Sequence, residues 1–165
     1  MISKRLQDAI NEQIKNEFYS AYLYLAMAAH CEASNLPGCA QWLKVQSHEE
    51  WTHGMKFFDF LVDRGGRVTL QAVAQPPATY KSVLGVFEHV LEHEQAVTSK
   101  INKLYEMALQ EKDYPAQVLL QWFITEQVEE EKNATGLVEQ LKMVPEKGGA
   151  LLFIDRHMGK RGGKD

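Results

Sequence analysis

Glu50 and His53 stand three residues apart, in the string Glu49-Glu50-Trp51-Thr52-His53, directly before Met55, Phe57, Phe58, Phe60 and Leu61. On a helix that spacing puts a carboxylate and an imidazole on one face, and the aromatic run marks that face as the buried one. Three further carboxylates share the pattern. Glu17, Glu94 and Glu130 each interrupt an apolar stripe, and Gln127 lies three residues before Glu130. Glu17 to Glu50 is a step of 33 residues, and Glu94 to Gln127 is the same step. The chain thus reads as two related halves, each bringing one carboxylate and one four-residue unit. Oxygen donors with a single imidazole and no thiolate suit Fe(II), Mn(II) or Zn(II) and disfavour Cu(I). Four buried carboxylates without Lys or Arg on the central turns cost several kcal/mol each unless protonated or neutralised. Two divalent cations cancel four carboxylates, with Glu50 placed to bridge. Iron is the expected metal because such sites carry out oxygen chemistry; spacing alone does not separate it from manganese.

The elements that must position these groups are four long stretches without proline beyond their first turns, read as helices over about 4–34, 37–64, 81–111 and 114–143, with a short fifth helix over about 150–158. Asp113 is the expected N-cap of the fourth, with Pro115 in its first turn, and Gly65 the expected C-cap of the second. The joints between the first and second and between the third and fourth helices are short, so each pair forms an antiparallel hairpin. The segment Gly65 to Tyr80 is long enough to cross the bundle, which makes the middle two helices parallel. The inward stripes read Ile10, Ile14, Glu17, Ala21, Tyr24, Ala28; Leu43, Gln46, Glu50, His53, Phe57, Phe60; Phe87, Val90, Glu94, Val97, Ile101, Leu104; and Leu120, Phe123, Gln127, Glu130, Ala134, Leu137, Leu141. Each is apolar except at its middle, so the polar groups converge in one layer of an all-α four-helix bundle with one long crossover.

Composition bounds the rest. The 165 residues, 45% hydrophobic and 24% charged, fit one soluble domain over 1–165. The net charge of −4 argues against nucleic acid as a partner. Cys31 and Cys39 form no CxxC pair and read as free thiols of a reducing, cytoplasmic compartment. Neither a signal peptide nor a membrane span is expected. Tyr24, Trp122 and Phe123 read as core packing, although Tyr24 lies two turns from Glu17, near enough for its hydroxyl to serve the ligands. His89 and His93 read as solvated, as do His30, His48 and His157. Glu126, Glu129 and Glu49 adjoin the inward groups; a second acidic cluster and a salt-bridged surface are both open readings. A helical interaction module with protonated central carboxylates, and a diiron enzyme that keeps its metal pair, are the competing functional classes.

Together, Glu17, Glu50-x-x-His53, Glu94 and Gln127-x-x-Glu130 resemble the bacterial non-haem ferritins, as do the strings NEFYSAYLYLAMA, EEWTHGMKFFDFLVDRGGRV and FITEQVEEE. The resemblance covers essentially the whole chain and implies a ferritin-like bundle. It implies a ferroxidase centre in which one iron is held by Glu17, Glu50 and His53, and the other by Glu50, Glu94 and Glu130, with Gln127 hydrogen-bonding nearby. It implies an extra iron site at Glu49, Glu126, Glu129 and Glu130, oxidation by O2 or peroxide, and a homo-oligomeric shell of 24 subunits around ferric mineral. No haem is expected. Bacterioferritin has a second Glu-x-x-His where this chain has Gln127-x-x-Glu130, and a haem-ligand Met where this chain has Trp51. Rubrerythrin adds a CxxC module that is absent, and mini-ferritins use a different spacing. The apolar segment Ala150 to Ile154 favours a subunit interface.

Overall fold

The computed structural model describes residues 1–162. It contains five helices and, among the described residues, no strand: α1 Lys4–Ala33, α2 Pro37–Asp63, α3 Val83–Gln110, α4 Tyr114–Lys142 and α5 Gly149–Met158. Local chemistry sets their ends. Ser3 Oγ accepts from the Leu6 amide (3.0 Å), Ser82 Oγ from the Gly85 amide (3.0 Å) and Asp113 Oδ1 from the Ala116 amide (3.0 Å). Each satisfies an amide the helix itself leaves free. Ser82 is why α3 starts at Val83, two residues after the expected start at about 81. At the end of α2, Gly65 has φ 67°, and the Gly66 amide returns to the Leu61 carbonyl at 2.8 Å, the left-handed cap expected there. Asn35 (φ 57°) and Lys112 (φ 55°) make the corresponding turns after α1 and α3. Asparagine is a familiar occupant of that conformation; lysine gives no sequence signal for it.

The long connection between α2 and α3 is pinned along α1. Gln7 Oε1 accepts from the Arg67 amide (2.9 Å), Asn11 Nδ2 donates to the Arg67 carbonyl (2.9 Å), and Asn11 Oδ1 accepts from the Thr69 amide (2.8 Å). The connection ends where Tyr80 meets the edge of His30, near the far end of α1. It therefore spans the bundle lengthwise and makes α2 and α3 parallel. Where α2 ends and α4 begins, Arg64 forms a bidentate pair with the capping Asp113 (2.8 and 2.9 Å).

Two apolar clusters fill the interior. One includes Leu6, Ile10, Phe57, Ile101, Leu120 and Phe123; the other includes Leu23, Met27, Leu43, Phe87, Val138 and, from α5, Met158. Between them lies the layer holding Glu17, Glu50, His53, Glu94, Gln127 and Glu130, all buried. Several sequence expectations shift. Phe60 and Leu137 are only half-buried, and Leu61 and Val138 take the inward places, because a period of 3.6 residues drifts off a fixed three–four step over several turns. Trp122 is not core: it is 39% exposed, with the Lys56 ammonium 3.8 Å from its ring centroid. Among the described residues, no helix is long and apolar enough to cross a membrane.

Candidate metal centre

Each of the four long helices contributes to the layer because polar residues interrupt its apolar stripe: Glu17 on α1, Glu50 and His53 on α2, Glu94 on α3, and Gln127 and Glu130 on α4. Glu17, Glu50 and His53 offer ligand atoms that all lie within 4.8 Å of one another, and among the described residues they are the one such group of three. His53 Nδ1 is 3.5 Å from Glu50 Oε2, and its ring meets Trp122 and Phe123 edge-on, at 5.5 and 5.8 Å between centroids. Glu94 approaches from α3. Its Oε1 accepts from the Tyr24 hydroxyl, and its Oε2 accepts from Gln127 Nε2 at 3.1 Å. Tyr24 is therefore both core packing and a donor to a layer carboxylate. Glu130, from α4, completes the four.

Glu17 and Glu50 accept from neutral donors too. Gln13 Nε2 donates to Glu17 at 2.7 Å and Gln46 Nε2 to Glu50 at 3.0 Å. Among the described residues, no lysine or arginine pairs with Glu17, Glu50, Glu94 or Glu130. Burial consequently dominates their titration. It raises Glu17 to about 8, helped by the neighbouring Glu50 charge. Glu50 rises well above its ordinary value, through burial and then through Glu94 and Glu130. Burial also raises Glu94, against the hydrogen bonds from Tyr24 and Gln127. It lifts Glu130 to about 7, with Glu94 adding to the effect. Without a cation the layer holds protons. A divalent ion displaces them and supplies the missing positive charge, so this donor set fits a metal of the hard or borderline kind.

Gln13 has no counterpart in the expected stripes. It was visible as an interval: Gln13 precedes Glu17 by four residues as Gln46 precedes Glu50, so each glutamine sits one turn back on the same face. His93 is not solvated as expected. Its Nε2 lies 2.7 Å from Ser20 Oγ, its ring packs against Tyr19 and Tyr24, and burial lowers its pKa to about 4. The polar neighbours Glu88 and Glu92 in the sequence gave the opposite impression. Glu49 and Glu126 are half-buried and Glu129 is exposed. Glu49 carries an ion pair with Arg161 at 2.5 Å, from beyond α5, which no helix stripe could reveal.

Known proteins share this fold. A family model for the ferritin-like domain matches residues 7–144. A bacterial non-heme ferritin from Bacteroides fragilis is 41% identical over 161 residues, covering 98% of this chain and 100% of its own. One from Campylobacter jejuni is 40% identical, covering 96% and 95%. The crystal structure of an open pore ferritin from the hyperthermophilic archaeon Archaeoglobus fulgidus superposes with a TM-score of 0.96 at 49% identity, over 98% of this chain and 99% of that one. The bundle with its short fifth helix and these relationships over nearly the full length establish that the chain belongs to the ferritin family of iron-storage proteins.

Proposed function

We propose that this chain is a ferroxidase that oxidises Fe(II) at a dinuclear centre inside each subunit and deposits the ferric product within a cytoplasmic shell of 24 copies, the whole chain 1–165 forming one domain. The observation that carries this reading is the buried layer itself: four carboxylates and one imidazole, held by neutral donors and lacking a cationic partner. One Fe(II) is assigned to Glu17, Glu50 and His53, and the second to Glu50, Glu94 and Glu130. Glu49, Glu126 and Glu129, with Glu130, are the assigned further iron site.

The roles of the protein groups follow from charge. As Fe(II) enters, the shared protons of the layer leave. Two Fe(II) then give up one electron each, and O2 with two protons takes both to become H2O2; peroxide serves as the alternative oxidant. Gln13 and Gln46 keep Glu17 and Glu50 in place by donating hydrogen bonds without cancelling their charge. Tyr24 and Gln127 do the same for Glu94. Ferric product moves on because the second half of the site offers the neutral Gln127 and no histidine, a weaker hold on Fe(III). Assembly from identical subunits has two supports on the surface. Tyr22, Leu25, Trp51, Leu70 and Val73 line an apolar groove, and Phe153 of α5 is 75% exposed.

Stopped-flow ferrous oxidation tests the centre: His53→Ala and Glu130→Ala are each expected to slow it at least tenfold, and unchanged rates in both would remove the layer from the mechanism. Particle size and maximal iron uptake test storage. Uptake that stops at about two irons per chain would instead favour an enzyme that keeps its metal pair.

A further inference from the structure

The C-terminal helix delivers a side chain to the rim of the metal layer. The first turn of α2 has no side-chain cap of its own, since Leu36 precedes it. The buried Asp155 of α5 supplies one instead, its Oδ1 accepting from the Cys39 amide at 2.8 Å. Gly38 makes this seating possible, because a Cβ there would lie 1.7 Å from the Asp155 carbonyl oxygen. Three residues beyond α5, the Arg161 guanidinium lies over Trp42 at 4.3 Å. Its Nη1 donates to Gln46 Oε1 at 2.7 Å and its Nη2 to Glu49 Oε2 at 2.5 Å. Gln46 is fully buried, and its Nε2 donates to Glu50 at 3.0 Å.

An amide group can face the carboxylates with either end. A guanidinium has only donors, so the end of Gln46 that meets Arg161 must be the oxygen. The NH2 group is then the end that faces Glu50. We propose that Arg161 is a positioning residue for the dinuclear centre, holding Gln46 in the one orientation that donates to Glu50 and so linking the seating of α5 to cation binding. This rests on the reading of the layer as a metal site. It also predicts a sign opposite to that of simple charge. Removal of a nearby positive group should tighten cation binding by Coulomb's law, whereas release of Gln46 should loosen it.

The test is anaerobic calorimetric titration of the chelator-stripped, assembled protein with Zn(II), alongside the visible spectrum of its Co(II) complex. Arg161→Met retains an apolar side chain over Trp42. It is expected to weaken Zn(II) binding by about tenfold, the usual scale for residues that orient metal ligands, and to shift the Co(II) bands. Gln46→Leu, on α2 and independent of how α5 is seated, should weaken binding similarly. The double variant should be no worse than Gln46→Leu alone. Unchanged or tighter binding in Arg161→Met, no loosening in Gln46→Leu, or additive effects in the double variant would each overturn the proposal while leaving the centre intact. If the unaltered protein takes up no Zn(II), or His53→Ala binds it undiminished, the reading of the layer falls and the proposal falls with it.

Discussion

Replacing Glu17 by Gln should stabilise the metal-free fold while damaging its function. Glu17 has its carboxyl raised from 4.5 to about 8, chiefly by burial. The folded chain therefore binds a proton that the unfolded chain has released, and does so between pH 4.5 and 8. Stability falls with rising pH wherever the folded state holds more protons, so the metal-free protein loses stability across that window and levels off above it. For Glu17 alone the loss is about 1 kcal/mol at pH 5 and roughly 3 kcal/mol at pH 7. Glutamine does not titrate, and its carbonyl oxygen still accepts from Gln13, which donates at 2.7 Å in the parent structure. Metal-free Glu17→Gln should therefore exceed the parent by up to about 3 kcal/mol at pH 7 and by only about 1 kcal/mol at pH 5. The assay is urea unfolding of chelator-stripped protein at pH 5, 7 and 8.5, at one fixed protein concentration because assembly contributes to apparent stability. Addition of Zn(II) should then favour the parent more than the variant. A metal-free variant no more stable than the parent at pH 7, or a parent whose stability does not fall between pH 5 and 8, would refute the argument.

Three further outcomes follow from the same geometry. Zn(II) binding at pH 7 should release more than one proton, since Glu17 and Glu130 titrate near 8 and 7; calorimetry in buffers of different ionisation enthalpy measures this, and release should shrink as the pH rises through 8. Tyr24→Phe removes the hydroxyl that donates to Glu94, and should weaken Zn(II) binding by about tenfold with little loss of packing. Gly38→Ala should lift α5 from the start of α2, because the added methyl meets the Asp155 backbone; a cost of about 1–3 kcal/mol and faster hydrogen exchange at residues 149–158 and at the Cys39 amide that Asp155 caps are expected.

The sequence displayed the buried polar layer well because the layer is a violation. Glu17, Glu50, Glu94 and Glu130 break otherwise apolar stripes, and a single-helix periodicity suffices to show a break. The same logic explains the misses. Phe60 and Leu137 lie about two turns from the layer, where drift of the helical period changes which neighbour points inward. Trp122 is apolar by type but exposed, and its ring lies under Lys56 rather than in a core. His93 sits among charged neighbours along the chain, yet its burial comes from Tyr19 and Tyr24 of another helix. Arg161 and Asp155 act on α2 from more than a hundred residues away. No local pattern encodes such a contact, because it depends on where α5 folds back.

The choice of donors around the carboxylates shows how the fold reconciles an unfavourable layer with function. Arginine or lysine beside Glu17, Glu50 or Glu94 would have stabilised the empty bundle, since an opposite charge relieves much of the cost of burial. It would also have taken the place of the incoming cation, which binds strongly only to charge left unneutralised. Glutamine and tyrosine avoid that conflict, because a neutral donor fixes a carboxylate's direction without cancelling its charge. Arg161 stands at one remove: its guanidinium pairs with Glu49, and Gln46 passes a neutral donor on to Glu50. The two apolar clusters on either side supply the stability that the layer between them withholds. A bundle built this way is weaker at its centre than its packing allows, and on the proposed function cation binding would recover that withheld stability.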